Sequence, residues 1–88
     1  MTKNALIFRK SVEKDLRKVP RDLIPAVFEH IEKLASDPLT PESHKLAGAE
    51  NLYRIRVGDY RIIYQVLYDS HEVIVIYIRH RSTAYRGL

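Results

Sequence analysis

The stretch LYRIRVGDYRIIYQV, residues 52–66, decides how the chain folds, because apolar residues alternate with polar ones on both sides of a Gly-Asp pair. A period of two is the pattern of a half-buried strand, and two such runs separated by two residues, the first a glycine, close a tight hairpin. With Gly58 and Asp59 as the turn, Val57 faces Tyr60. Counting outward sets Arg56 opposite Arg61, Ile55 opposite Ile62, Arg54 opposite Ile63 and Tyr53 opposite Tyr64. One face then carries Tyr53, Ile55, Val57, Tyr60, Ile62, Tyr64 and Val66, enough apolar surface to hold helices. The other carries Leu52, Arg54, Arg56, Arg61, Ile63 and Gln65 and is left open.

Outward from the hairpin, a looser turn at Asp69-Ser70-His71 leads to a third run, Glu72 to about His80. There Ile74, Ile76 and Ile78 alternate with Val73, Val75, Tyr77, Arg79 and Arg81; placing the isoleucines in the core sends Arg79 and Arg81 to the open face. Upstream, residues 38–50 (PLTPESHKLAGAE) hold two prolines and a glycine without sustained periodicity and read as a connecting loop. Before it, Leu23, Ile24, Val27, Phe28, Ile31, Leu34 and Ala35 recur at helical spacing, predicting a helix from about Arg21 to Ser36 with Pro25 near its first turn, where proline is tolerated. Asp37 and Pro38 stop it. A shorter helix, with Ser11 as expected N-cap, runs to about Lys18 on a stripe of Val12, Leu16 and Val19 before Pro20. Residues 4–9 (NALIFR) form the first strand. The order β-α-α-β-β-β predicts an α+β domain over residues 1–88, two helices on one face of a small, mostly antiparallel sheet.

Composition narrows the function. A chain of 88 residues, 45% apolar and 30% charged, forms one soluble globular domain rather than a disordered or fibrous segment. No stretch approaches the roughly 20 apolar residues of a bilayer span, and the N-terminus MTKNALIFRK lacks a signal-peptide core, so a cytoplasmic protein with no membrane partner is expected. Zero Cys removes thiolate chemistry, and His30, His44, His71 and His80 lack metal-ligand spacing; no metal and no cofactor are expected. Charge is asymmetric. Residues 1–50 hold nine Lys/Arg against eight Asp/Glu, whereas residues 51–88 hold six against three, and all six are arginine. A guanidinium is planar, permanently charged and grips phosphate with two parallel hydrogen bonds, so an anionic partner, nucleic acid, is implied.

The register sharpens this. Like charges directly opposite on a sheet destabilise it by about 0.2–1 kcal/mol, so Arg56 facing Arg61, flanked by Arg54, needs a reason. A solvated polar face accounts for two arginines. Five (Arg54, Arg56, Arg61, Arg79, Arg81), with Asp59 the only acidic residue among them, point to a phosphate-binding face. His80 reads either as an ordinary strand-end residue or as a general acid/base beside the arginines. Tyr85, in the tail STAYRGL, either packs back on the sheet or stacks on a nucleobase.

The runs HKLAGAENLYRIRVGDYRIIYQV (44–66) and VIVIYIRHRSTAYR (73–86), with the KLxG turn of Lys45, Leu46 and Gly48, resemble the RelE/ParE superfamily of type II toxins over essentially the whole chain. Similarity to RelE implies a ribosome-dependent endoribonuclease that cuts mRNA in the ribosomal A site, is neutralised by a cognate antitoxin and oligomerises only through that complex. Similarity to ParE implies a DNA gyrase poison without chemistry of its own; an inactive RNA-binding module is the plainest alternative. The RelE resemblance implies catalytic roles for Arg61, Arg81, His80 and Tyr85 and RNA contacts from Arg54, Arg56, Arg79 and Lys45. Several RelE enzymes carry Lys where this chain has Arg54 and Arg56. Arginine, with a pKa above about 12, does not deprotonate a hydroxyl near neutrality. His80 is then the leading candidate base, with Glu42 in the preceding loop second.

Overall fold

In the computed structural model, which describes residues 3–48 and 50–84, the elements run β1 (Ala5–Phe8), α1 (Lys10–Leu16), a 3-10 turn (Arg21–Leu23), α2 (Ile24–Lys33), β2 (Ser43–Lys45), β3 (Leu52–Val57), β4 (Tyr60–Leu67) and β5 (Glu72–His80). They form one five-stranded sheet in the order β1-β5-β4-β3-β2, with β1 parallel to β5 and the other neighbours antiparallel. The hairpin register is the one the sequence predicts, residue for residue from Tyr53/Tyr64 to Val57/Tyr60. Gly58 makes the turn possible: its φ of +57° lies in the left-handed region, which a side chain penalises by about 1–2 kcal/mol.

Both helices pack on the predicted face. Val12 of α1, Val19, and Val27, Ile31 and Leu34 from α2 and its end form one buried cluster with Ile55, Val57, Ile62, Tyr64 and Val66, and Tyr53 and Tyr60 pack against it. The Asn4 amide donates to the Ala35 carbonyl at 2.6 Å, tying the end of α2 to the start of β1.

Four details differ from expectation. The loop over 38–50 contains a three-residue strand, β2, too short to show a period. Helix α2 is shorter than predicted: residues 21–23 wind as a 3-10 turn, and the helix proper starts at Ile24, just before Pro25, and ends at Lys33. Ser11 is not the N-cap, which is Arg9 with no side-chain cap bond; the Ser11 hydroxyl instead donates to the Ile76 carbonyl at 3.1 Å. On β5 the isoleucine assignment fails. The register slips between Ile63/Tyr77 and Tyr64/Val75, leaving Ile76 as an extra residue, so Val73 and Val75 join the core upstream of it and Ile78 joins downstream. Ile76 is buried but outside the helix-side cluster.

Tyr64, the largest fully buried side chain, donates its hydroxyl to the Pro38 carbonyl at 2.7 Å, and burial pushes its pKa up to about 12. A raised folded-state pKa favours the neutral phenol. Its contribution is therefore complete below the usual tyrosine value of about 10 and lost as pH rises toward the folded value. Urea denaturation is expected to show stability falling between pH 10 and 12. Tyr64→Phe should remove much of that fall while lowering stability at pH 7 by about 1 kcal/mol. An alkaline profile identical in the two proteins would show that this phenol is not the group responsible.

Candidate active site

The face opposite the helices is organised in cross-strand rows. Nearest the Gly58-Asp59 turn, Arg56, Arg61 and Arg79 stand side by side on β3, β4 and β5. The next row runs His44, Arg54, Ile63 and Tyr77 across β2 to β5, and the third Leu52, Gln65 and Ile74. Arg56 is exposed and Arg61 and Arg79 half-buried, so the sheet holds three neighbouring guanidinium groups with no carboxylate interleaved among these rows.

Each arginine is held differently. Arg61 folds back on the hairpin, its Nη1 donating to the carbonyls of Tyr60 at 2.9 Å and Gly58 at 3.1 Å. The guanidinium of Arg79 lies over the Tyr77 ring, 3.6 Å from its centroid, a cation-π contact that fixes the plane of the group. Arg54 Nη1 is out of contact with solvent and has no hydrogen-bond partner. A buried, unpaired charged donor is costly, and its natural complement is an anionic acceptor. Ile63 between these groups is fully buried although no helix covers it; it is the apolar floor of the site.

Other residues singled out from the sequence lie elsewhere. His80 is in register with Tyr60, its ring edge-on to that tyrosine with centroids 5.5 Å apart, and so belongs to the helix side of the sheet. There it lines a cleft of about 520 Å³ with Lys14, Asp15, Lys18 and Thr83. Its Nδ1 accepts from the Ser82 amide at 3.2 Å and lies 2.9 Å from the Ser82 hydroxyl, so that nitrogen is occupied. Alternation along the strand turns the His80 side chain to the opposite side from that of Arg79, although Arg79 also lines this cleft. Lys45 is exposed and in register with Tyr53, again the helix side. Arg81 sits past β5, its amide donating to the Asp59 carbonyl at 2.7 Å and its Nε 3.9 Å from an Asp59 carboxylate oxygen, at the rim of the arginine row. Glu42 is exposed just before β2, and a backbone hydrogen bond holds its carboxyl below the usual carboxylate range, which weakens it as a base. Tyr85 lies outside the described residues. Among the described residues no group of three or more His, Cys, Asp or Glu side chains could hold a metal ion, and no helix is long and apolar enough to cross a membrane.

A family model described as the ParE toxin of the type II toxin-antitoxin system parDE matches residues 6–85. The chain belongs to the RelE/ParE family of type II toxins. The putative toxin RelE1 of Methanocaldococcus jannaschii is 35% identical over 81 residues, covering 89% of this chain and 90% of its own. The toxin RelE of Mycobacterium tuberculosis is 32% identical over 78 residues, covering 83% and 76%. Among solved structures, the RelE-RelB complex from Pyrococcus horikoshii matches with a TM-score of 0.79 at 30% identity, covering 96% of this chain and 100% of that one. A RelB-RelE complex from Methanococcus jannaschii gives 0.76 at 32%, covering 90% and 94%.

In this toxin the sequence reading misses two residues of the arginine face. His44 stands on edge strand β2 directly opposite Arg54 and is exposed. Its only sequence signal is the Ser-His-Lys-Leu run inside a proline-bracketed segment, too short for periodicity to reveal. Tyr77, which the sequence places in alternation with the isoleucines of β5 but gives no role on this face, is the ring beneath Arg79.

Proposed function

We propose that the toxin is a RelE-type mRNA interferase, an endoribonuclease acting on mRNA at the ribosome in the cytoplasm. The observation that supports this reading best is the row Arg56-Arg61-Arg79 backed by the buried, unpartnered Nη1 of Arg54. In the reaction a ribose 2′-OH attacks the adjacent phosphorus. The O2′–P bond forms as the P–O5′ bond breaks, leaving a 2′,3′-cyclic phosphate and a 5′ oxygen that takes a proton from water to become the 5′-OH end. Arg61 and Arg79, with Arg56, stabilise the charge that develops on the non-bridging oxygens, while Arg54 and the rim residue Arg81 hold flanking phosphates. Tyr85 is assigned to base stacking by the family resemblance.

The proton from the 2′-OH needs an acceptor that no arginine provides. His44, exposed and beside Arg54 in register, is the imidazole on this face and takes that role here in place of His80. Proton transfer of this kind contributes about 10²–10⁴-fold, so His44→Ala should lower cleavage by about 10²-fold. His80→Ala should change the rate by no more than about threefold. Wild-type cleavage by His44→Ala would assign the proton to another group.

The relatives solved as RelE-RelB complexes support a cognate antitoxin as partner. The description of the matching family model as a ParE toxin favours a second reading, inhibition of DNA gyrase. Primer extension on translated mRNA after induction, run beside a gyrase supercoiling assay, separates the two. Cut mRNA with normal supercoiling supports the interferase; intact mRNA with inhibited supercoiling overturns it, and no effect in either assay leaves an inactive binding module.

A further inference from the structure

The extra residue in β5 decides which of its side chains join the arginine face. Val73 and Val75 point into the helices, and uninterrupted alternation would send Tyr77 and Arg79 after them, burying a guanidinium under α1. Because Ile76 is an extra residue, Ile78 takes the core position, and Tyr77 and Arg79 emerge opposite Ile63 and Arg61. A one-residue change in this bulge would move both groups to the other side of the sheet.

A bulge persists only if its backbone groups find partners. Strand β1 ends at Phe8, opposite Val75, so beyond that point the outer edge of β5 has no neighbouring strand. Two side chains of α1 replace it. The Ser11 hydroxyl donates to the Ile76 carbonyl at 3.1 Å, and Asp15 Oδ2 accepts from the Ile78 amide at 3.1 Å. Ser11 and Asp15 are four residues apart on one helix, hence on one face of it, and both are half-buried. One bond is to the extra residue itself and the other lies two residues on, one on each side of Tyr77.

We propose that Ser11 and Asp15 are positioning residues of the arginine face: by holding the backbone of β5 at residues 76 and 78 they fix the bulge, and the bulge holds Tyr77 and Arg79 beside Arg61. The geometric part stands on the hydrogen bonds alone; its effect on RNA cleavage rests on the interferase reading. Neither residue touches the substrate in this scheme. The carboxylate acts as an acceptor, so an amide oxygen at position 15 can replace it, whereas its negative charge is dispensable.

The test compares Asp15→Ala, Asp15→Asn and Ser11→Ala, each assayed by NMR and by primer extension on translated mRNA. In Asp15→Ala, hydrogen exchange of the Ile78 amide should accelerate by about tenfold or more. The cross-strand contacts Arg61/Arg79 and Ile63/Tyr77 should weaken, and cleavage should fall by up to about 10²-fold, as expected for sub-ångström to ångström misplacement of a reacting group. Asp15→Asn should restore both readouts to within about threefold of wild type, which a need for the charge would not allow. Ser11→Ala, which loses one neutral hydrogen bond, should show the same effects more weakly and guards against Asp15→Ala simply failing to fold. Wild-type contacts and exchange in Asp15→Ala, or no rescue by a folded Asp15→Asn, would overturn the proposal. If the wild-type protein cuts no mRNA, the interferase reading fails and the NMR comparison still decides whether these residues hold the bulge.

Discussion

Arg61→Ala and Arg79→Ala should each lower mRNA cleavage by about 10²–10³-fold while leaving the fold intact, the loss expected when one preorganised donor to developing charge is removed. The stability side of this expectation has two opposing parts. Truncating Arg61 leaves the carbonyls of Gly58 and Tyr60 to water at the turn, a loss of about 0.5–1.5 kcal/mol. It also relieves the repulsion from Arg56 and Arg79, its neighbours on both sides, worth about 0.2–1 kcal/mol for each like-charged pair. The two nearly cancel, so urea midpoints should shift little. Arg56→Ala, which removes repulsion and breaks no side-chain hydrogen bond, should stabilise the protein by a few tenths of a kcal/mol. Folded variants of Arg61 and Arg79 that cut mRNA at the wild-type rate would remove the arginine row from the mechanism.

The second large effect concerns the floor of the site. Ile62 and Ile63 are adjacent on β4 and both fully buried, but Ile62 faces the helices and Ile63 the arginines. Truncating either to Ala should cost about 2–5 kcal/mol, a large fraction of the roughly 5–15 kcal/mol that stabilises a small domain. Function separates them. At a temperature where both variants remain folded, Ile62→Ala should cleave at nearly the wild-type rate. Ile63→Ala should lose activity well beyond its unfolded fraction, because the seat between Arg54 and Tyr77 opens to water and the guanidinium groups gain freedom. Equal activity in the two folded variants would show that the apolar floor does not position the arginines.

Much of this architecture is legible in the sequence because one hairpin is over-determined. A glycine-led two-residue turn fixes the register, the register fixes the faces, and the faces sort Ile55 and Ile62 from Arg56 and Arg61. The failures fall where alternation carries no information. Ile74, Ile76 and Ile78 and Val73 and Val75 are all β-branched and apolar, so neither set identifies the core side, and the phase is set by a helix distant in sequence through Ser11 and Asp15. His44 sits on a three-residue strand whose existence depends on an edge of β3 waiting to be paired. His80 is a different failure, because the phase at its end of β5 is as expected: it lies one residue past Arg79, and adjacent strand residues point to opposite sides, so the alternation that puts Arg79 on the open face sends His80 to the helix side.

The pairing of β1 with β5 sets a temporal order as well as a spatial one. Ala5 lies beside Glu72, and Ser11 and Asp15 grip backbone at 76 and 78, so the first strand has no partner and these two side chains have no backbone to hold until β5 has been made. Contacts so remote along the chain form late and slowly compared with local ones. The row of arginines across three strands is completed only by β5, and a chain lacking β5 carries Arg56 and Arg61 without Arg79.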